Sequence, residues 1–408
     1  MKVKDYLVRA GKLVTVSDKY KTLYDGAFVV VDGMIAEVGD YSILSERYKF
    51  LEVLDYSDYI VTPSLVDCHT HVMEYAPSSI FPVTESTHLM ASSALILKAL
   101  SSGITALGEQ ICGHPSVRYF KDDYLKVIEH LPIDISFSLS TITIGLPELA
   151  HFSGITGASA ISKEMLLDEA IIKGLIENSE YPGENIFINA TPANFEENFI
   201  PRAGEIIYTQ KELEYISNMF HMNNKKIGCH VAGEDAIDMA IDAGFDVIHH
   251  GHGITKEQIE RVKDKSILIV ATPLGGTHLP PNSPEEIVEL AKSGIVVAIS
   301  TDGYLPPSKK APWLKFLNDE LKGPESLMLI AHEAMENLRH LKWNENEVLK
   351  LITLNPAIVM GRDKQYGSIE AGKNANFLVA NGIPGLDITN PEDIKQVFFK
   401  GEKIISRI

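Results

Sequence analysis

The sequence predicts an α/β protein: a (β/α)8 TIM-like barrel with a small β-sandwich built from both termini. Three observations carry this. Eight short apolar runs alternate with helical patterns between residues 58 and 360. The two ends, residues 1–57 and 361–408, are instead rich in β-branched runs cut by Gly and Asp-Gly turns. Several of the apolar runs finish in histidine or aspartate, and a parallel barrel builds its active site at the strand C-terminal ends.

The elements follow in order. "YLVRAGKLVTVS", "GAFVVVDGMIAEVG" and "FLEVLDYS" read as strands of the terminal unit, and "GSIEAGKNANFLVANG" and "IKQVFFKGEKIIS" return to the same style. The core strands are "SLVDCHTH", "GITALGEQ", "ISFSLSTIT", "NIFINATP", "KIGCHVA", "DVIHHG", "ILIVATP" and "VVAISTD". Between them, "GEDAIDMAIDAG" places Ala236, Ile237, Ala240 and Ile241 on one helix face and Gly244 at its end. "SPEEIVELAKSG" opens with Ser283 and Pro284 as cap and first turn and stops at Gly294. A doubly wound open sheet is the competing topology, but no Gly-rich phosphate loop follows any early strand.

Composition narrows the partners. A formal net charge of -18 opposes nucleic acid or an anionic membrane as the main partner and leaves a small molecule. Three cysteines without a CxxC suit a reducing cytoplasm. The charged start "MKVKDYLVRAGKLVTVSD" has no apolar signal-peptide core, and no run of about 18 apolar residues is present to span a membrane. The expected location is the cytoplasm.

"SLVDCHTH" sets Asp67, His69 and His71 on one side of a strand, because side chains alternate across it. His230 lies in the fifth core strand, His249 and His250 in the sixth, and Asp302 ends the eighth. A lone buried histidine is usually a satisfied core residue. Histidines and an aspartate arriving from four strand ends form a nitrogen and oxygen donor set suited to zinc or a related divalent ion.

On these residues the chain resembles the amidohydrolase superfamily of metal-dependent hydrolases. "VTPSLVDCHTH" is similar to the family's HxH signature, and "HVAGEDAIDMAIDAGFDVIHHG" resembles the prolidase and imidazolonepropionase-like branch. "AISTDG" matches the eighth-strand aspartate, while "DGMIAEVG" and "GSIEAGKNANFLV" resemble the two halves of the small sheet unit. The resemblance implies His69, His71, His230, His250 and Asp302 as metal-site residues, and a homo-oligomer. It selects His250 over His249 because the family's ligand directly precedes the strand-terminal Gly, here Gly251. Strand parity also allows only one of the two to reach the metal. His252 is expected in the following loop. Cys68 and Cys229 have the wrong parity for ligands and are expected in packing.

The sequence departs from the family at several places. Relatives that bridge two metals use a lysine from the fourth core strand, but "NIFINATPANFEEN" has none; Lys173 sits upstream in a helical stretch, and neutral Asn189 stands near the bridge position. One metal per chain is therefore favoured over two. Glu109, closing the second core strand, reads as a hydrogen-bonded strand-end carboxylate or as a replacement bridge. Gly233 stands where the mononuclear deaminases have a catalytic Glu, with Glu234 opening the next helix. Ser64 replaces the usual Gly after Pro63, with little expected consequence.

The expected chemistry is hydrolysis of a non-peptide carbon–nitrogen bond in a cyclic or otherwise small amide, with the substrate itself left open. The metal would lower the pKa of a bound water toward about 7. Asp302 would take the proton and return it to the leaving nitrogen, and His250 would complete the metal shell or hydrogen-bond the carbonyl oxygen. Asp67 is either a support for the ligands or a strand-end acceptor. Specificity is expected from the loops "MEYAPSSIFPVTE", "IGLPELAHFSGITGASA", "PLGGTHLPPNS" and "GYLPPSKKAPWLKF"; His278, Tyr304 and Trp313 are candidate contacts that each read better as packing, and Lys309, Lys310 and Arg202 read as surface charge. The alternatives are an aminohydrolase of a purine- or pyrimidine-like ring and a non-catalytic assembly protein.

Overall fold

The computed structural model describes residues 4–72, 85–110, 125–126, 128–138, 164, 167–178, 184–191 and 202–408. The terminal strands are β1 (Tyr6–Val14), β2 (Thr22–Val31), β3 (Met34–Asp40) and β4 (Glu52–Pro63). Eight core strands follow: β5 (Leu65–Thr70), β6 (Ile104–Gln110), β7 (Asp134–Ser138), β8 (Glu184–Asn189), β9 (Lys226–Ala232), β10 (Val247–His252), β11 (Leu268–Ala271) and β12 (Val297–Ile299). The chain closes with β13 (Phe377–Ala380), β14 (Ile394–Phe399) and β15 (Glu402–Ser406).

β1–β4 and β13–β15 form one seven-stranded sheet in the order β15-β14-β13-β4-β1-β2-β3. Both ends of the sequence thus meet in one sheet, through the antiparallel pairing of β13 with β4. The sheet is sandwich-like: Val8 and Phe28 from one end share a buried cluster with Phe377 and Phe398 from the other. Phe377 and Phe398 stack at 4.1 Å, and Phe28 meets Phe377 edge-on at 5.0 Å.

All eight core strands occur where the apolar runs predicted them. They pair in parallel as two ladders, β5-β6-β7 and β12-β11-β10-β9-β8. The mixed α/β class follows directly from this arrangement. The two ladders are stitched at the end that matters: Asp302 N donates to His69 O and His71 N donates to Gly303 O, both at 3.0 Å. Asp67 reinforces the seam by accepting from Thr301 N at 3.2 Å and Thr301 Oγ1 at 2.6 Å.

The helices between strands end for the reasons read from sequence. Helix Glu234–Ala243 buries Ala236, Ile237, Ala240 and Ile241 and stops at Gly244 in the left-handed region, where no Cβ opposes the turn. Helix Pro284–Ser293 is capped by the Ser283 hydroxyl accepting from Glu286 N, with Pro284 in its first turn. Among the described residues, no helix is long and apolar enough to cross a membrane.

Candidate metal centre

His69 and His71 enter from the end of β5 and Asp302 from just past β12, so the seam hydrogen bonds fix their spacing. Asp302 Oδ1 lies 2.9 Å from His69 Nε2 and 3.2 Å from His71 Nε2. From β10, the His250 ring packs 5.2 Å from His69 and 4.4 Å from His230 of β9. Donor atoms of His69, His250 and Asp302 all fall within 4.8 Å of one another, and all three residues are buried. Metal–ligand bonds of about 2.0–2.2 Å place two donors at most about 4.4 Å apart, so these three lie at or close to the spacing that one divalent ion requires.

The five sequence-predicted residues therefore share one buried cluster. His69, His250 and Asp302 form its tightest group, His71 reaches it through Asp302, and His230 through the His250 ring. His249 requires a correction. The parity argument admits only one of the His249–His250 pair, yet both rings lie against His69. His249 stands opposite His230 in the β9–β10 register and shares its face; its Nδ1 lies 2.5 Å from His69 Nδ1. His250 would then point away in a regular strand, but its φ of +68° turns it back toward the site. Asp302 adopts the same left-handed region at φ +53°.

His252 is likewise not a loop residue: it ends β10, buried, with Nδ1 2.7 Å from Thr277 Oγ1 and Nε2 3.2 Å from Thr272 Oγ1. Glu109 accepts from Thr70 Oγ1 at 2.7 Å and from Val72 N at 3.0 Å, which braces the end of β5. Lys173 is exposed on helix Glu169–Asn178, paired with Glu169. The Asn189 side chain lies outside the described residues. Glu234 opens its helix, and its carbonyl accepts from Gln258 Nε2. Cys229 is buried in the main apolar core, and Cys68 shares a smaller cluster with Ala357 and Val359, its Sγ 3.2 Å from Ser300 Oγ.

Electrostatically the site is a negative hole lined by neutral rings. Burial pulls the imidazoles down, His69 to about 4, His249 to about 3, His252 to about 4 and His250 well below its ordinary value. Burial alone would raise the Asp302 carboxyl, but His250 and His69 beside it and the His69 and His71 hydrogen bonds hold it well below the carboxylate range. Asp67, also buried, is pushed up to about 7 by desolvation. A buried carboxylate ringed by neutral nitrogen donors is the electrostatic setting a cation stabilises.

Two residues that sequence reasoning did not single out complete the site. Thr272, one position beyond β11, bonds His250 Nδ1 at 2.8 Å. Gly276 lies so close that a Cβ there would stand 2.0 Å from Asp302 Oδ2 and 2.5 Å from His250 Cε1. The available signal was the Gly-Gly pair in "ATPLGGTH", directly after a core strand. Beyond Gly276 a pocket of about 330 Å³ opens between residues 274–281 and 305–310, its walls including Leu274, Leu279, Leu305 and Pro307. His278, Lys309 and Lys310 also line it. Tyr304 faces elsewhere, its hydroxyl donating to Glu325 at 2.9 Å; Trp313 is half-buried, and Arg202 is exposed. The loops "MEYAPSSIFPVTE" and "IGLPELAHFSGITGASA" lie outside the described residues, apart from the backbone of the last residue of the first.

Comparison with known proteins places the chain in a family. The amidohydrolase family model covers residues 60–404. The imidazolonepropionase of Bacillus velezensis is 22% identical over 410 residues, spanning 94% of this chain and 90% of that protein. The crystal structure of A. niger ochratoxinase superposes with a TM-score of 0.73 at 18% identity, over 100% of this chain and 96% of that one. That of a Xaa-Pro dipeptidase with bound methionine in the active site gives 0.72 at 17%, over 98% and 99%. The chain belongs to the amidohydrolase family and is a hydrolase acting on carbon–nitrogen bonds.

Proposed function

We propose that this enzyme opens the carbon–nitrogen bond of a small, cyclic, non-peptide amide with one divalent metal, zinc by its donor set, held by His69, His250 and Asp302. His71 and His230 complete the surround. The observation that carries this is the convergence of those three donors within 4.8 Å at the end of two parallel ladders, which we read as halves of one barrel. The match to imidazolonepropionase supports the cyclic class. The hydrogen bonds already made by Glu109 and the lack of a lysine in β8 favour a single ion.

A metal in this position supplies a Lewis acid and a water acidic enough to ionise near neutral pH. The chain's own groups do the rest. Asp302, whose Oδ1 lies 2.9 Å from His69 Nε2 and 3.2 Å from His71 Nε2, accepts the proton of the attacking water and returns it to the leaving nitrogen. The pocket beyond Gly276 holds the remainder of the substrate against apolar walls, with Lys309 and Lys310 at hand for an anionic substituent. The aminohydrolase alternative lacks its proton shuttle, since position 233 is Gly and Glu234 is placed at the start of a helix.

The test is elemental analysis of the purified protein followed by a hydrolysis screen of lactams, cyclic imides and cyclic ureas. The expected result is about one metal per chain, with ring opening that chelation abolishes and zinc restores. Ammonia release from purine or pyrimidine bases without ring opening would replace this reading with the deaminase.

A further inference from the structure

The loop after β11 contains a hydroxyl whose hydrogen bonds account for every proton around it. Thr272 Oγ1 donates its single hydrogen to Gly275 O at 2.7 Å. Only lone pairs remain on that oxygen, and two imidazole nitrogens face them: His250 Nδ1 at 2.8 Å and His252 Nε2 at 3.2 Å. Both nitrogens must therefore carry hydrogen, and a neutral imidazole carries only one N–H. His250 is left with a bare Nε2 lone pair, and this buried atom makes no hydrogen bond among the described residues. His252 is left with a bare Nδ1, which matches the Thr277 hydroxyl 2.7 Å away. The Thr272 backbone is held in turn, its N–H donating to Asn282 Oδ1 at 2.8 Å.

We propose that Thr272 is a positioning residue that sets His250 in the Nδ1–H tautomer and so makes Nε2 the atom offered to the metal. Thr272 touches neither metal nor substrate; it acts through the ring. The tautomer of a ligating histidine is set by the hydrogen bond its other nitrogen makes, and losing such a partner typically costs 10–100-fold in metal affinity. This rests on reading the cluster as a metal site, but the tautomer itself is observable without metal.

The experiment compares wild type, Thr272→Val and Thr272→Ser. Nitrogen NMR of histidine-labelled, metal-free protein at mildly alkaline pH reads the tautomer, with His250 assigned by its substitution. Wild type and the Ser variant should show pyrrole-type Nδ1 and pyridine-type Nε2 on His250; the Val variant should lose that pattern. In chelator competition, zinc affinity should fall about 10–100-fold in the Val variant and stay near wild type in the Ser variant. A pyrrole-type Nε2 in the wild type, or a Val variant that binds zinc as tightly as wild type, would overturn the proposal. Wild type that takes up no metal would remove the reading of the site, while the NMR pattern would still decide what Thr272 does.

Discussion

The terminal sheet and the end of the parallel ladders pack rings at similar distances for opposite purposes. In the sheet, Phe377 stacks on Phe398 at 4.1 Å and meets Phe28 at 5.0 Å. At the candidate metal centre, His230 and His250 lie 4.4 Å apart and His69 and His249 lie 4.5 Å apart. Burying a phenylalanine stabilises by about 1.5–3 kcal/mol. Burying imidazoles and carboxylates costs free energy unless each polar atom finds a partner or a cation. One region therefore supplies stability that the other consumes. Activity and stability should accordingly separate under mutation.

The largest separation is expected at Asp302. Asp302→Asn should lower kcat/KM by about 10³–10⁴-fold, equivalent to about 4–5.5 kcal/mol, because proton transfer by a positioned carboxylate is worth that much. Because Asp302 is also one of the three proposed metal donors, the variant is assayed with saturating zinc and its metal content measured; substantial remaining turnover in the loaded variant would remove Asp302 from the proton path. The mirror image is Phe377→Ala in the terminal sheet. Deleting this fully buried ring should cost about 3–5 kcal/mol in urea unfolding, with kcat per folded molecule unchanged. A matching loss of kcat would mean that the two regions are coupled.

Gly276→Ala comes next and sharpens the comparison, because it adds one methyl group where the site has no space. At φ +103°, with a Cβ directed onto Asp302 Oδ2 and His250, the variant should lose about 10²-fold in kcat/KM. Wild-type kinetics would show that the loop is not held against Asp302 during turnover.

The smallest effect belongs to Glu286, on the helix behind the site. Burial first, against the opposing Asn282 hydrogen bond, pushes its carboxyl from 4.5 up to about 7. Between those values the folded protein keeps a proton that the unfolded chain has released, so its contribution to stability falls as pH rises from about 4.5 to 7. Glu286→Gln should therefore gain on wild type across that window, by up to about 1.4 kcal/mol for each pH unit. Parallel melting curves for the two proteins at pH 5 and pH 8 would contradict this.

Much of the fold was legible because it is written in local periodicity. Alternating or continuous apolar runs mark strands, and caps such as Ser283 and stops such as Gly244 mark helix ends through nearby atoms alone. The HxH spacing in β5 and the terminal Asp302 were visible for the same reason: a period of two fixes which residues share a face. What local pattern could not supply was the direction of His250. A non-glycine residue at positive φ departs from strand parity, and such a conformation persists only when its surroundings hold it. Here Thr272, brought from 22 positions along the chain, binds the ring.

The sequence by itself determined the eight core strands, the union of both ends in one sheet, and the placing of histidines and an aspartate at the strand ends. Tertiary structure alone decided how those donors meet. It brought both His249 and His250 against His69, set Glu109 Oε2 against Thr70 and Val72, and set Gly276 close enough to Asp302 to exclude a side chain. The physical reason is range. Faces and caps depend on neighbours within a few residues, whereas the aim of a ring and the approach of a loop depend on partners that only the folded chain brings together.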